Sequence, residues 1–128
     1  FTRHDFKRLF EARALDYAQP DTCACGGLSE AKKIADMAWA AGVRYVPHVW
    51  GTGVALATAL QVLAVLPHVP PAHAAWEPLL ELDRTEHAFL QAILTRPIEH
   101  DRGRVAIPTG PGLGIEIDRT ALERFAVR

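Results

Sequence analysis

Apolar positions along this chain fall into two rhythms that alternate. Phe6, Leu9 and Phe10 keep a helical period, with Thr2 as an N-cap and Asp5 three residues later, so a helix is predicted over residues 3–14. Residues 15–19 then read as a short strand, ended by Pro20-Asp21. A loop over 22–27 leads to a second helix capped by Ser29, in which Ala31, Ile34, Ala35 and Ala38 make one buried stripe and Gly42 marks the end. Residues 43–46 form the next strand, with His48 just past it. Thr52 or Gly53 opens a third helix that runs to about Leu66 and stops at Pro67. It is apolar nearly all round, so it is expected to be buried on more than one side.

A proline-containing loop over 69–75 follows, then a third strand over 79–83 that carries Glu81. The rhythm changes after Asp83. Residues 86–94 form a short helix, 104–108 a short extended piece, and 108–114 a proline- and glycine-rich turn. Residues 115–117 alternate like a strand, and Asp118 caps a last turn over 119–125.

The order is α-β-α-β-α-β with a tail, which predicts the α/β class: parallel strands joined by right-handed helical crossovers. In such folds, chemistry collects at the carboxyl ends of the strands. Asp21 and His48 occupy those ends, 27 residues apart, and Glu81 follows 33 residues later, each spacing being about one βα unit. Adjacent strands lie roughly 4.8 Å apart, so side chains from neighbouring strand ends come within hydrogen-bonding reach.

Composition narrows the classes without naming one. The chain has 128 residues, 49% of them hydrophobic, enough for one core and not two. A net charge of −1 with the two signs interspersed offers neither a nucleic-acid groove nor a polybasic membrane patch. The longest apolar stretch, 54–66, is interrupted by Thr58 and Gln61 and is too short to cross a bilayer. Cys23 and Cys25 are too close for a ready mutual disulfide, which points to a reducing, cytoplasmic setting. No signal peptide is visible, and a start at Phe1 without Met points to a cut or incomplete chain.

The candidate chemistry is proton transfer. A carboxylate beside a histidine fixes one tautomer and stabilises the imidazolium, so Asp21 and His48 form a candidate dyad working near neutral pH. Glu81 is the candidate hydrogen-bond donor to a developing oxyanion, with Glu77 as its competitor. Trp50 and Thr52, in the loop after His48, are the candidate substrate-binding residues. Cys23-Ala24-Cys25 lacks the spacing and the second pair of a zinc or redox motif and reads as two small loop residues. The glycines over 110–114 lack the Lys-Ser/Thr ending of a phosphate loop. His4, His68, His73, His87 and His100 are scattered and read as solvated.

Pro20-Asp21, the run Gly26-Gly27-Leu28-Ser29-Glu30-Ala31, Pro47-His48-Val49-Trp50-Gly51-Thr52-Gly53, Leu80-Glu81-Leu82-Asp83 and the 105–117 segment stand in the order seen in one family. Together they resemble the carboxyl-terminal barrel portion of the enolase superfamily, in its mandelate racemase/muconate lactonizing branch. The loop at Trp50 and the Glu86-His87 segment resemble its sugar-acid members, galactarolactone cycloisomerases in particular, with aldarate and aldonate dehydratases close by. The resemblance implies a modified (β/α)7β TIM-like barrel with a capping domain. Asp21, His48 and Glu81 would then belong to strands six, seven and eight, and Mg²⁺ would be held by three carboxylates on strands three to five. Residues 1–98 would be the partial barrel and 99–128 a tail returning to the capping domain. The resemblance also implies a sugar-acid substrate, abstraction of the proton next to its carboxylate, and a homo-oligomer for the complete enzyme.

No metal ligand set is found in the chain itself; those carboxylates and the second-strand lysines are expected upstream of Phe1. Two functional classes follow. One is the C-terminal portion of a Mg²⁺-dependent cycloisomerase or dehydratase, inactive when alone. The other is a non-catalytic barrel remnant that self-associates or pairs with another chain through its open sheet edges.

Overall fold

The computed structural model describes residues 1–66 and 77–127. Pro67, the expected loop over 69–75, His68 and His73 lie outside the described residues. Helix α1, Arg3–Glu11, opens after Thr2, whose backbone N–H donates to the Asp5 carboxylate at 3.0 Å. It closes three residues earlier than its apolar pattern predicts. Arg13 takes a left-handed backbone (φ 51), and Ala14 N–H bonds back to Leu9 C=O at 3.0 Å, which ends the helical ladder.

Strand β1, Tyr17–Ala18, pairs in parallel with β2, Arg44–Tyr45. Helix α2, Leu28–Ala40, connects them and crosses back over one face. Its N-cap is Gly27 rather than the expected Ser29. Gly27 has φ 89, a backbone that a side chain would oppose, and its carbonyl accepts the first helical bond from Ala31. The expected stripe of Ala31, Ile34, Ala35 and Ala38 is buried to the last residue. Small residues at three of its four positions let α2 sit close against the sheet and against α3. Gly42 (φ 70) ends α2, where Val43 N–H reaches Ala38 C=O at 2.8 Å.

Helix α3, Gly53–Ala64, is buried on two sides, as its all-round apolar sequence predicts. One side meets α2 and the core, where Leu56 and Leu60 pack with Tyr45 and Val49. The other side receives the tail. Gln61 donates its amide to the carbonyls of Pro108 (2.9 Å) and Leu113 (3.1 Å), and Gly53 leaves room for Leu94. No described helix is long and apolar enough to cross a membrane.

The third strand is a correction. Residues 79–83 belong to no helix or strand, and no strand pairing is assigned to them. Leu80 and Leu82 alternate with Glu81 and Asp83 as in a strand, but a strand also needs a neighbour in register for its backbone groups. Here side chains hold it: Arg44 donates to Glu77 C=O at 2.6 Å, and Gln19 donates to the Glu81 carboxylate.

The expected helix over 86–94 shrinks to α4, Phe89–Ala92. An Asp83–Thr85 turn precedes it, residues 86–88 stay outside the helix, and a bridge to the tail ends it. Leu94 pairs antiparallel with Ile117, Thr95 N–H donates to Glu116 C=O at 3.0 Å, and Asp118 N–H donates to Ile93 C=O at 2.9 Å. Strands β3, His100–Asp101, and β4, Arg104–Val105, form a hairpin. Helix α5, Arg119–Arg124, is capped as expected by Asp118, which accepts from Ala121 N–H at 3.0 Å.

The turn that brings the tail onto α3 depends on one glycine. A Cβ on Gly114 would stand 2.7 Å from the Pro108 carbonyl carbon and oxygen, on a left-handed backbone (φ 72). Gly112 is also left-handed (φ 64), but a Cβ there meets nothing within 4 Å. Gly112→Ala is therefore expected to cost about 1 kcal/mol from backbone strain alone. Gly114→Ala is expected to cost about 2–4 kcal/mol, because strain and overpacking add. Urea unfolding of the two variants side by side checks this, and equal losses would refute the steric account.

Candidate functional site

The register of the two parallel strands builds the site. Tyr17 pairs with Arg44 and Ala18 with Tyr45, and three residues on the same offset pairs Asp21 with His48 in a parallel bridge. Backbone bonds carry the ladder to its end, from Val46 N–H to Ala18 C=O (3.0 Å) and from His48 N–H to Pro20 C=O (3.2 Å). Side chains alternate across each strand. Ala18, Pro20, Tyr45 and Pro47 turn inward to the helices and are buried, so Asp21 and His48 stand on the opposite, open face.

There His48 Nδ1 lies 3.0 Å from Asp21 Oδ2. The other Asp21 oxygen, Oδ1, accepts from Cys23 N–H at 2.7 Å and from Ala24 N–H at 3.2 Å. The turn after β1 thus wraps around the carboxylate and fixes its orientation. Cys23-Ala24-Cys25 belongs to that turn. Its amides hold Asp21, while its thiols are free, Cys23 exposed and Cys25 buried in the core. The pattern Asp-Thr-Cys-Ala, an Asp side chain returning to the N–H groups two and three residues on, was the available sequence signal for this cradle.

Opposing effects set the protonation of Asp21. Partial burial, the largest single effect, pushes the carboxyl up. The hydrogen bonds from His48, Cys23 and Ala24, together with the attraction of His48, outweigh it and hold Asp21 below the ordinary carboxylate range. Asp21 therefore stays ionised at neutral pH and keeps a proton on His48 Nδ1. That leaves Nε2 as the ring nitrogen that can exchange a proton with another molecule. The histidine side chain is 43% exposed and the carboxylate 19%, so the ring is open to solvent while the group that anchors it is largely covered.

The other expected site residues lie around this pair in different ways. Trp50 is 73% exposed, two residues beyond His48. Thr52 caps α3, accepting from Val54 N–H at 3.3 Å, so its hydroxyl oxygen is engaged with the backbone. Glu81 is exposed and bonded to Gln19 Nε2 at 3.3 Å. Its competitor Glu77 turns away to an ion pair with Arg104 at 3.2 Å. Sequence reasoning passed over Asp83. Hydrogen bonds from Thr85 hold this carboxyl below its usual range, and attraction from His87 and His48 adds to the effect, so a second carboxylate contributes to the field at His48. Among the described residues, no three His, Cys, Asp or Glu side chains converge as a metal site would require. A Mg²⁺ ion of the kind the resemblance implies therefore has no fitting donor set among them.

A family model described as enolase C-terminal domain-like matches residues 1–121. D-galactarolactone cycloisomerase of Agrobacterium fabrum is 51% identical over 123 residues, covering 96% of this chain and 32% of that protein. Arabinonate dehydratase of Saccharolobus solfataricus is 31% identical over 125 residues, covering 98% of this chain and 31% of that protein. The crystal structure of the 3,6-anhydro-D-galactonate cycloisomerase from Zobellia galactanivorans superposes with a TM-score of 0.86 at 39% identity, over 100% of this chain and 34% of that one. The chain spans about a third of the length of these relatives. It belongs to the enolase C-terminal domain-like family, in the mandelate racemase/muconate lactonizing branch, among relatives that are sugar-acid cycloisomerases and dehydratases.

The depressed Asp21 carboxyl makes a stability prediction. Its folded value lies below its unfolded value, so its contribution is complete above the unfolded value of about 3.9 and is lost as pH falls through the lower folded value. Asp21→Asn keeps an oxygen for Cys23 and Ala24 but has no charge to lose. Its unfolding free energy is expected to fall less steeply than that of the wild type below about pH 4. Urea unfolding between pH 3 and 6 measures the two slopes, and parallel curves would contradict the assignment.

Proposed function

We propose that this chain supplies the acid/base arm of a sugar-acid cycloisomerase of the enolase superfamily, with Asp21 and His48 as its proton-transfer dyad. The observation that carries the reading is the 3.0 Å contact between His48 Nδ1 and Asp21 Oδ2 at paired strand ends. The 51% identity with a D-galactarolactone cycloisomerase supports the reaction class. A dehydratase is the second reading, supported by the arabinonate and D-galactonate dehydratases among the relatives.

In this reading His48 Nε2 takes the proton from the carbon next to the substrate carboxylate, or returns one to it. Asp21 holds the ring in one tautomer and stabilises the imidazolium as it forms. Asp21 needs no rearrangement at the moment of transfer, because the Cys23 and Ala24 amides already orient it. Glu81 offers its carboxyl group to the substrate oxygen that gains charge, and Trp50, exposed beside the dyad, packs against the sugar acid. Mg²⁺, which this superfamily generally uses, would be held by residues outside this chain. The 128 residues by themselves are therefore expected to be inactive. Completed at full length, we expect a cytoplasmic homo-oligomer.

The test uses the full-length protein with Mg²⁺ and a panel holding D-galactarolactone, D-galactonate and arabinonate, in deuterated water to follow exchange at the carbon next to the carboxylate. His48→Asn is expected to lower kcat/KM on the responding substrate by about 10²- to 10⁴-fold and to abolish that exchange. An enzyme that keeps full exchange with Asn at position 48 would remove His48 from the mechanism. Ring opening of the lactone without loss of water identifies the cycloisomerase; release of water identifies the dehydratase.

A further inference from the structure

We propose that Gln19 is a positioning residue for Glu81: its side-chain amide, donated across the sheet, decides which carboxylate oxygen remains for the substrate. The inference rests on the role given to Glu81 above and deepens it.

The placement follows from the strand pleat. Gln19 stands two residues before Asp21 and shares its face, while Ala18 and Pro20 between them turn inward and are buried. The register that sets Ala18 beside Tyr45 sets Gln19 beside Val46, so Gln19, Asp21 and His48 all belong to the open face. From there Gln19 Nε2 reaches Glu81 Oε2 at 3.3 Å, a contact between residues 62 apart in sequence. Val46, the residue after β2 that the register sets beside Gln19, is only 9% exposed although it shares that face. The Gln19–Glu81 bridge therefore starts just past β1, two residues before Asp21, and ties segment 77–83 to that strand end where no backbone ladder is assigned.

The chemistry of the amide suits the task. With Oε2 held by Gln19, the Glu81 carboxylate is fixed in rotation and Oε1 stands outside this bond. A lysine or arginine at position 19 would fix the carboxylate too, but would neutralise it and could only donate. A glutamine amide can donate N–H to a carboxylate and, turned over, accept from a carboxylic acid. Glu81 can then gain or lose a proton without losing its holder, as a group that donates a hydrogen bond to a developing oxyanion requires.

The experiment has two arms, both on the full-length protein. In the first, the ¹⁵N–¹H signals of the Gln19 side-chain amide are compared between wild type and Glu81→Ala, and a clear shift is expected. In the second, a double-mutant cycle measures turnover of the responding sugar acid. Gln19→Leu is expected to lower kcat/KM about tenfold in the presence of Glu81, mostly through kcat, and less than about twofold in Glu81→Ala. Gln19→Glu, which keeps the length but replaces the amide donor with a carboxylate, is expected to match or exceed the Gln19→Leu loss. Equal losses in the two backgrounds would mean that Gln19 acts independently of Glu81 and would overturn the inference, as would an amide signal that does not move. An amide that moves in a protein that turns over no sugar acid would instead overturn the proposed function and, with it, the purpose given to the contact.

Discussion

One backbone register carries the rest of this molecule. Two short parallel strands meet with Tyr17 beside Arg44 and Ala18 beside Tyr45, and the same offset brings Asp21 beside His48. A slip of one residue would turn one member of the dyad inward among the helices, because strand side chains alternate between faces. The register is protected from such a slip by what packs beneath it. Ala18, Pro20, Tyr45 and Pro47 are buried beneath the helices, and turning them to the open face would expose apolar surface that the core now covers.

The two prolines have a similar place in the two units. Pro20 precedes Asp21 and Pro47 precedes His48, and both are among the most completely buried side chains. Proline has no N–H to give a ladder and holds its own φ, so it lets a strand finish while its carbonyl still accepts. Pro20 C=O does so, receiving His48 N–H. Asp21 and His48 thus stand on the last rung of the ladder, aimed by the sheet.

Beyond the ladder, the loops do the finer positioning. Left-handed Gly26 and Gly27 close the turn that brings the Cys23 and Ala24 amides onto Asp21, then launch α2. On the far side of α3, Gln61 holds the Pro108 and Leu113 carbonyls and Leu94 seats over Gly53, so the tail braces the helix that follows His48. Gln19 through Glu81 and Arg44 through the Glu77 carbonyl hold the 77–83 segment, and Asp83 adds its charge to the field at His48.

By itself the sequence determined the elements whose signals are local. The stripe of Ala31, Ile34, Ala35 and Ala38, Gly42 after it, the Asp118 cap and the all-round apolar α3 were legible because helix periodicity and capping act within a few residues. The Asp21–His48 pairing was legible too, since one βα unit has a nearly fixed length and carries its polar end to a known rim. Tertiary structure decided what depends on a distant partner. It left 79–83 outside any ladder, because a strand exists only through its neighbour. It cut the 86–94 helix to Phe89–Ala92, because Leu94 found Ile117. It also chose Gln19 as the partner of Glu81, a contact between residues 62 apart that no local pattern announces, since it depends on how two strand faces meet in space.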